Sequence, residues 1–197
     1  MTIVELAPGL RRWSAYHDHW EEEVSSFAVD TADGLVLIDP LEPPEELRRP
    51  AHVLYTVYWH ARSGAGLRAV TWAARRSERP LANRGIAVTE IADPDLVLPG
   101  GIRAFQTARA AEVVYWLPDQ CALVAGDVLL GAGAKPQATD EPLRLCPERW
   151  LGKRTHADLR ESLRPLLGLP VERVLPSHGR QVLEHGKREL ARVLAAR

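Results

Sequence analysis

Leu54-Tyr55-Thr56-Val57-Tyr58-Trp59-His60-Ala61-Arg62-Ser63-Gly64 is the stretch on which the reading of this chain depends. Residues 53–57 form a short apolar run of the kind that makes a buried strand. At its end come side chains that can bind or react: Tyr58, Trp59, His60, Arg62 and Ser63. The imidazole is a candidate metal ligand. The arginine two residues on is not, because zinc is held by imidazole, thiolate or carboxylate and a guanidinium cannot ligate it.

Working outward, residues 25–29 and 35–38 are apolar runs on either side of Asp30-Thr31-Ala32-Asp33-Gly34, a hairpin-type turn, and Asp39-Pro40 closes the second run. Upstream lie a short mixed segment, 12–17, and a polar loop, 18–23. Pro43 and Pro44 open a short helical piece over 45–49. Downstream, Leu67, Val70 and Ala74 predict a helix over 63–76, weakened at its start by Gly64 and Gly66. Residues 86–88 read as a strand. After the Pro99-Gly100-Gly101 turn, three more strands are expected over 102–106, 112–116 and 122–125. The Gly-, Pro- and Ala-rich segment 131–147 reads as a mobile surface loop.

Thr155 with Asp158 makes a capping-box start for a helix carrying Leu159, Leu163, Leu166 and Leu167 on one face, and Gly168 stops it. A short strand over 171–175 follows. Pro176-Ser177-His178-Gly179 then turns into a last helix, with Val182, Leu190, Val193 and Leu194 inward. Strands followed by helices, twice over, predict two sheets covered by helices rather than a parallel Rossmann sheet.

A chain of 197 residues fits one domain, 1–197. Its net charge of −1 gives no global field toward nucleic acid or an anionic membrane, so a small molecule is the expected partner. The arginine-rich cation set, with lysine only at Lys135, Lys153 and Lys187, reads as a GC-rich genome. Cys121 and Cys146 make no metal spacing and are expected as free thiols. No basic segment followed by an apolar one opens the chain, and no apolar stretch approaches the roughly 20 residues that span a bilayer. A soluble cytoplasmic protein is expected.

With these segments in place, the chain resembles the metallo-β-lactamase-fold superfamily along nearly its whole length. Residues 26–40 resemble that family's strand pair ending in Leu-Ile-Asp, and 58–66 its metal-binding loop and following glycine. Val113-Val114-Tyr115-Trp116-Leu117-Pro118 through Gly126-Asp127 resembles the strand pair that ends in the bridging aspartate, and Pro176-Ser177-His178-Gly179 the terminal histidine motif. The resemblance implies an α/β fold, a four-layer αββα sandwich.

It also implies a site that has lost most of its ligands. In one register of the family's His-x-His-x-Asp-His, Tyr58, His60, Arg62 and Ser63 stand at the ligand positions. In the other, Val57, Trp59, Ala61 and Arg62 do. Both remove the carboxylate, and no histidine precedes the strand that begins at Glu112. Asp127 and His178 match in either register. The resemblance thus offers His60, Asp127 and His178 as metal and catalytic residues, with Tyr58, Trp59, Arg62 and Ser63 as ligand-binding ones, and zinc absent or limited to one ion. Those three ligands are expected to meet at one edge of the sandwich, and Arg62 to reach Asp127. Asp39 is expected to order a turn near the metal.

His17-Asp18-His19 has a metal-type spacing but reads as a polar turn. Trp59, Trp116 and Trp150 are candidate cleft residues. Two functions stay open: a hydrolase with an eroded site acting on an ester-like or amide-like bond, and a non-catalytic relative whose cleft binds a small molecule or partner protein.

Overall fold

The computed structural model describes residues 2–18 and 21–195, so His19 of the His17-Asp18-His19 motif lies outside the described residues. The N-terminal half forms a seven-stranded sheet whose strands neighbour one another in chain order. They are β1 (Ile3–Ala7), β2 (Leu10–His17), β3 (Glu22–Thr31), β4 (Gly34–Ile38), β5 (His52–Tyr55), β6 (Val70–Ala73) and β7 (Glu90–Ile91). The first four make an antiparallel meander, and β4 to β7 run parallel. In the second sheet β8 (Arg103–Gln106), β9 (Val113–Leu117) and β10 (Ala122–Val124) are antiparallel neighbours. A hairpin, β11 (Leu129–Gly131) with β12 (Leu143–Leu145), follows, and β13 (Arg173–Leu175) then joins β10 in parallel.

Alternation along these strands sorts the core into layers, because successive side chains point to opposite faces of a sheet. Phe27, Val29, Val36, Ile38 and Leu54 face Val113, Tyr115, Leu117 and Val124 across the gap between the sheets. Their neighbours Ala28, Leu37, Val53 and Tyr55 pack outward with Leu47, Leu81 and Ile86. Val114, Trp116 and Leu123 of the second sheet pack outward against Leu159, Leu163, Leu190 and Val193. The helices involved are α1 (Glu78–Ala82), α2 (His156–Leu163) and α3 (Gly186–Ala195). Four layers result, with helices outside and two sheets within. The cover on the first sheet is thin, because α1 has a single turn.

Several expectations are corrected. No helix spans 63–76. Short 3₁₀ turns at Tyr58–Ala61 and Gly64–Gly66 lead instead into β6, where Val70, Thr71 and Trp72 favour a strand. Residues 86–88 are not a strand; the pairing comes later, at β7. The loop expected over 131–147 is partly interior, with Ala132, Ala134 and Leu143 buried and β12 inside it. The last helix starts only at Gly186, and Val182 pairs with Val174 as an isolated bridge before it. The capping box at Thr155 and Asp158 is formed in full.

Three junctions carry the site. Val57 bridges to Glu112, which ties the end of β5 to the start of β9, and Val24 bridges to His178, which ties β3 to the turn after β13. That turn lies so close to β11 that a Cβ on Gly131 would collide with the Arg180 carbonyl. Gly179, at φ +78°, would meet the Gly131 backbone in the same way. Glycine at both places lets His178 come in to its position.

Candidate metal centre

His60, Asp127 and His178 come together at the ends of strand segments: one ligand atom from each lies within 4.8 Å of the others, and all three residues are buried. It is the one such cluster among the described residues. His60 is set by the 3₁₀ turn after β5, where its N–H donates to the Val57 carbonyl at 3.1 Å. Asp127 follows β10, held by Ser177 N–H to the Gly126 carbonyl at 3.2 Å. His178 is held through its own carbonyl, which accepts from Gly131 N–H at 2.9 Å.

Each imidazole is gripped at its far nitrogen by a carboxylate. His60 Nδ1 lies 2.8 Å from Asp39 Oδ2, and His178 Nδ1 lies 2.6 Å from Glu22 Oε1. Asp39 is fixed in turn by the Thr56 N–H at 2.8 Å and by the Thr56 hydroxyl. Carboxylates at Nδ1 direct both Nε2 atoms at one point, the outer-shell arrangement that orients metal-ligating histidines. At that point stands Asp127 Oδ1, 3.0 Å from His60 Nε2 and 3.2 Å from His178 Nε2. Both imidazoles thus pair with the same buried carboxylate oxygen. Its partner Oδ2 accepts from Trp59 Nε1 at 2.6 Å.

Burial penalises charge on His60, and the Asp127 and Asp39 carboxylates overcome that penalty and the opposing Arg62 charge, so its pKa lies above the usual histidine value. Burial also opposes charge on His178, but Asp127 and Glu22 raise it to about 9. Asp127, despite burial, is held well below the usual carboxylate range by the two histidines. The His178 proton therefore contributes stability that is complete below about pH 6.5, the unfolded value, and is lost as pH rises through about 9. That gap corresponds to about 3 kcal/mol, and it is the same interaction that depresses Asp127. Urea unfolding of chelator-treated protein should show stability falling by about 3 kcal/mol between pH 6.5 and 9.5. A flat profile would refute the pairing.

Arg62 does not reach Asp127, as the sequence had suggested. Its Nη1 donates to the Ser25 carbonyl at 2.8 Å, the Asp39 carbonyl at 2.9 Å and Ser26 Oγ at 3.2 Å. The reason lies in the backbone: φ is +42° at Arg62, a rare conformation for a residue with a Cβ, and the side chain is sent toward β3 and the end of β4. Trp59 takes the place expected for it, as the donor to Asp127.

A cavity of about 490 Å³ opens over the centre, lined in part by Trp59, Arg62, Trp150 and His17. Tyr58 and Ser63 are not among its lining residues. Tyr58 packs edge-on against Trp59 with Arg84 over its ring. Trp116 is in the core facing α2 and α3. Cys121 and Cys146 are free thiols, and burial pushes Cys146 up to about 12, so it offers no thiolate.

Glu112 is the residue sequence reasoning missed. Fully buried, it accepts from Asp127 N–H at 2.9 Å and Val128 N–H at 3.1 Å through Oε1, and pairs with Arg109 Nε at 2.7 Å through Oε2. Arg109 in turn lies over the Trp59 ring, 5.1 Å from its centroid. Burial raises Glu112 to about 7, against the Arg109 charge. The signal was available: an ionisable residue directly preceding the apolar run of β9.

No family model and no curated protein sequence matches the chain. Solved structures do. The metallo-β-lactamase from Pontibacter korlensis superposes with a TM-score of 0.67 at 19% identity, covering 100% of this chain and 99% of the other. The enzyme from Hirschia baltica gives 0.66 at 14% identity, with 98% and 95% covered. The metallo-β-lactamase FIM-1 from Pseudomonas aeruginosa, in its mono-zinc form, gives 0.65 at 14% identity, with 98% and 94% covered. The chain has the metallo-β-lactamase fold.

Proposed function

We propose that this protein is a hydrolase acting on an ester-like or amide-like bond with a single divalent metal, zinc in the first instance, held by His60 Nε2, Asp127 Oδ1 and His178 Nε2. The observation that carries this reading is the convergence of one ligand atom each from His60, Asp127 and His178 within 4.8 Å of one another, all buried, with both imidazoles oriented by carboxylates at Nδ1. Two imidazoles and one carboxylate leave a fourth position open, as catalytic zinc requires. Such an ion supplies an activated water and a polarised carbonyl when bound. The chain's own residues do the rest: Asp39 and Glu22 fix the imidazole orientation, and Trp59 and Glu112 fix Asp127.

A second ion has no comparable set of donors among the described residues, and the half-buried Arg62 guanidinium is held on the Asp39 carbonyl. One feature favours the non-catalytic alternative. Four carboxylates (Glu22, Asp39, Glu112, Asp127), Arg62, Arg109 and two imidazoliums sum to zero charge, and a divalent ion with two neutral imidazoles sums to zero as well. Protons can therefore stand in for the metal without leaving a net buried charge.

Elemental analysis and zinc titration decide between the readings. One zinc per chain is expected, with esterase or amidase activity that a chelator removes and zinc restores, and with zinc lost in His178→Ala. Two tightly bound zincs, or none together with no activity, would sink the proposal.

A further inference from the structure

Asp127 is held twice, and the two holds restrain different parts of it. Its N–H donates to Glu112 Oε1 at 2.9 Å, which fixes the backbone. Its Oδ2 accepts from Trp59 Nε1 at 2.6 Å, which fixes how the carboxylate is turned about its own bonds. With Oδ2 on the indole, Oδ1 is the oxygen that stands 3.0 Å from His60 Nε2 and 3.2 Å from His178 Nε2. An indole nitrogen only donates, and its acceptor here is a carboxylate, so the bond is of the stronger, charge-assisted kind.

A ring at a cavity wall restrains its neighbour only if it is itself restrained. Trp59 is 36% exposed there, yet it is gripped from two sides. The Tyr58 ring meets it edge-on, with centroids 4.8 Å apart and planes at 81°. The Arg109 guanidinium lies over it, 5.1 Å from the centroid, and Arg109 Nε is anchored on Glu112 Oε2 at 2.7 Å. Glu112, Arg109, Trp59 and Asp127 therefore form a closed ring of contacts. One end of that ring closes on the Asp127 backbone and the other on its carboxylate.

We infer that Trp59 is a positioning residue that keeps Asp127 a one-oxygen ligand, so that an ion on His60, Asp127 and His178 retains an open position. The inference rests on the reading of these three residues as a metal centre. A carboxylate free to turn can give an ion one oxygen or both. A second oxygen would fill the position that a catalytic zinc needs open. The indole N–H prevents this by holding Oδ2 on itself. Outer-shell contacts commonly orient ligating side chains; here the contact comes from the cavity wall, and it sets how many donors the centre has.

The test loads the full-length protein with cobalt(II), whose visible bands are intense when it is four-coordinate and weaken when a fifth donor joins. Wild type is expected to show the intense bands. Trp59→Phe keeps an aromatic ring for Tyr58 and Arg109 but removes the N–H, and it is expected to lose much of that intensity as Oδ2 joins the ion. Circular dichroism verifies the fold of the variant. A role confined to packing would leave the bands unchanged in Trp59→Phe, and that result, or weak bands already in wild type, would overturn the inference. A second measurement needs no variant. In zinc-loaded wild type the Trp59 indole proton, identified by its proximity to Tyr58 in proton NMR, should stay protected from exchange with water. Rapid exchange would show that Oδ2 has left the indole and would overturn the inference as well. No uptake of either metal sinks the hydrolase reading and this inference together, whereas uptake with unchanged bands sinks this inference alone.

Discussion

Asp127→Ala is expected to abolish zinc binding and to destabilise the metal-free protein by about 3–5 kcal/mol near pH 6, the cost of breaking a buried charge pair from one side. Two imidazoliums lose their shared carboxylate oxygen, and Trp59 Nε1 loses its acceptor. The cost should shrink as pH rises toward 9, because His60 and His178 can then lose their protons and become neutral. Urea unfolding of wild type and variant at the two pH values, in chelator, measures both. A loss under about 1 kcal/mol at pH 6 would mean that the cluster is no better than a surface contact.

Glu112→Ala is expected to cost about the same, roughly 3–5 kcal/mol, although Glu112 is no candidate ligand. It strands the buried Arg109 guanidinium and leaves two backbone N–H groups, of Asp127 and Val128, without their acceptor. Glu112→Gln keeps an oxygen for those N–H groups and should cost less. Combining Glu112→Leu with Arg109→Met should recover the part of the loss that comes from the unpaired charge, while the two N–H groups still lack their acceptor. If the double variant is as unstable as the sum of the singles, the pair is not the source of the cost.

Much of the fold was legible because the strands are short apolar runs cut off by Asp-Gly, Asp-Pro and Pro-Gly turns, a pattern that survives without tertiary information. The helix expected over 63–76 failed for the reason such runs generally do. Leu67, Val70 and Ala74 fit a helical face, and a strand of only four residues such as β6 is too short for its own alternation to compete with that pattern. At the site, His60, Asp127 and His178 stood at the ends of apolar runs and could be found there. Glu22 could not, because in a polar loop it is indistinguishable from Glu21 and Glu23 until β3 is laid beside the His178 turn. Arg62 was placed correctly along the chain and wrongly in space, since composition carries no sign of a positive φ.

The clasp made by Arg62 ties β3 to the end of β4 through main-chain oxygens. Its guanidinium joins the Ser25 and Asp39 carbonyls. A mutation placing a carboxylate at position 62 would remove that closure and leave those carbonyls without the guanidinium donor. The guanidinium acts as a ratchet: a descendant of this sequence gives up the closure before it gains any ligand at that position.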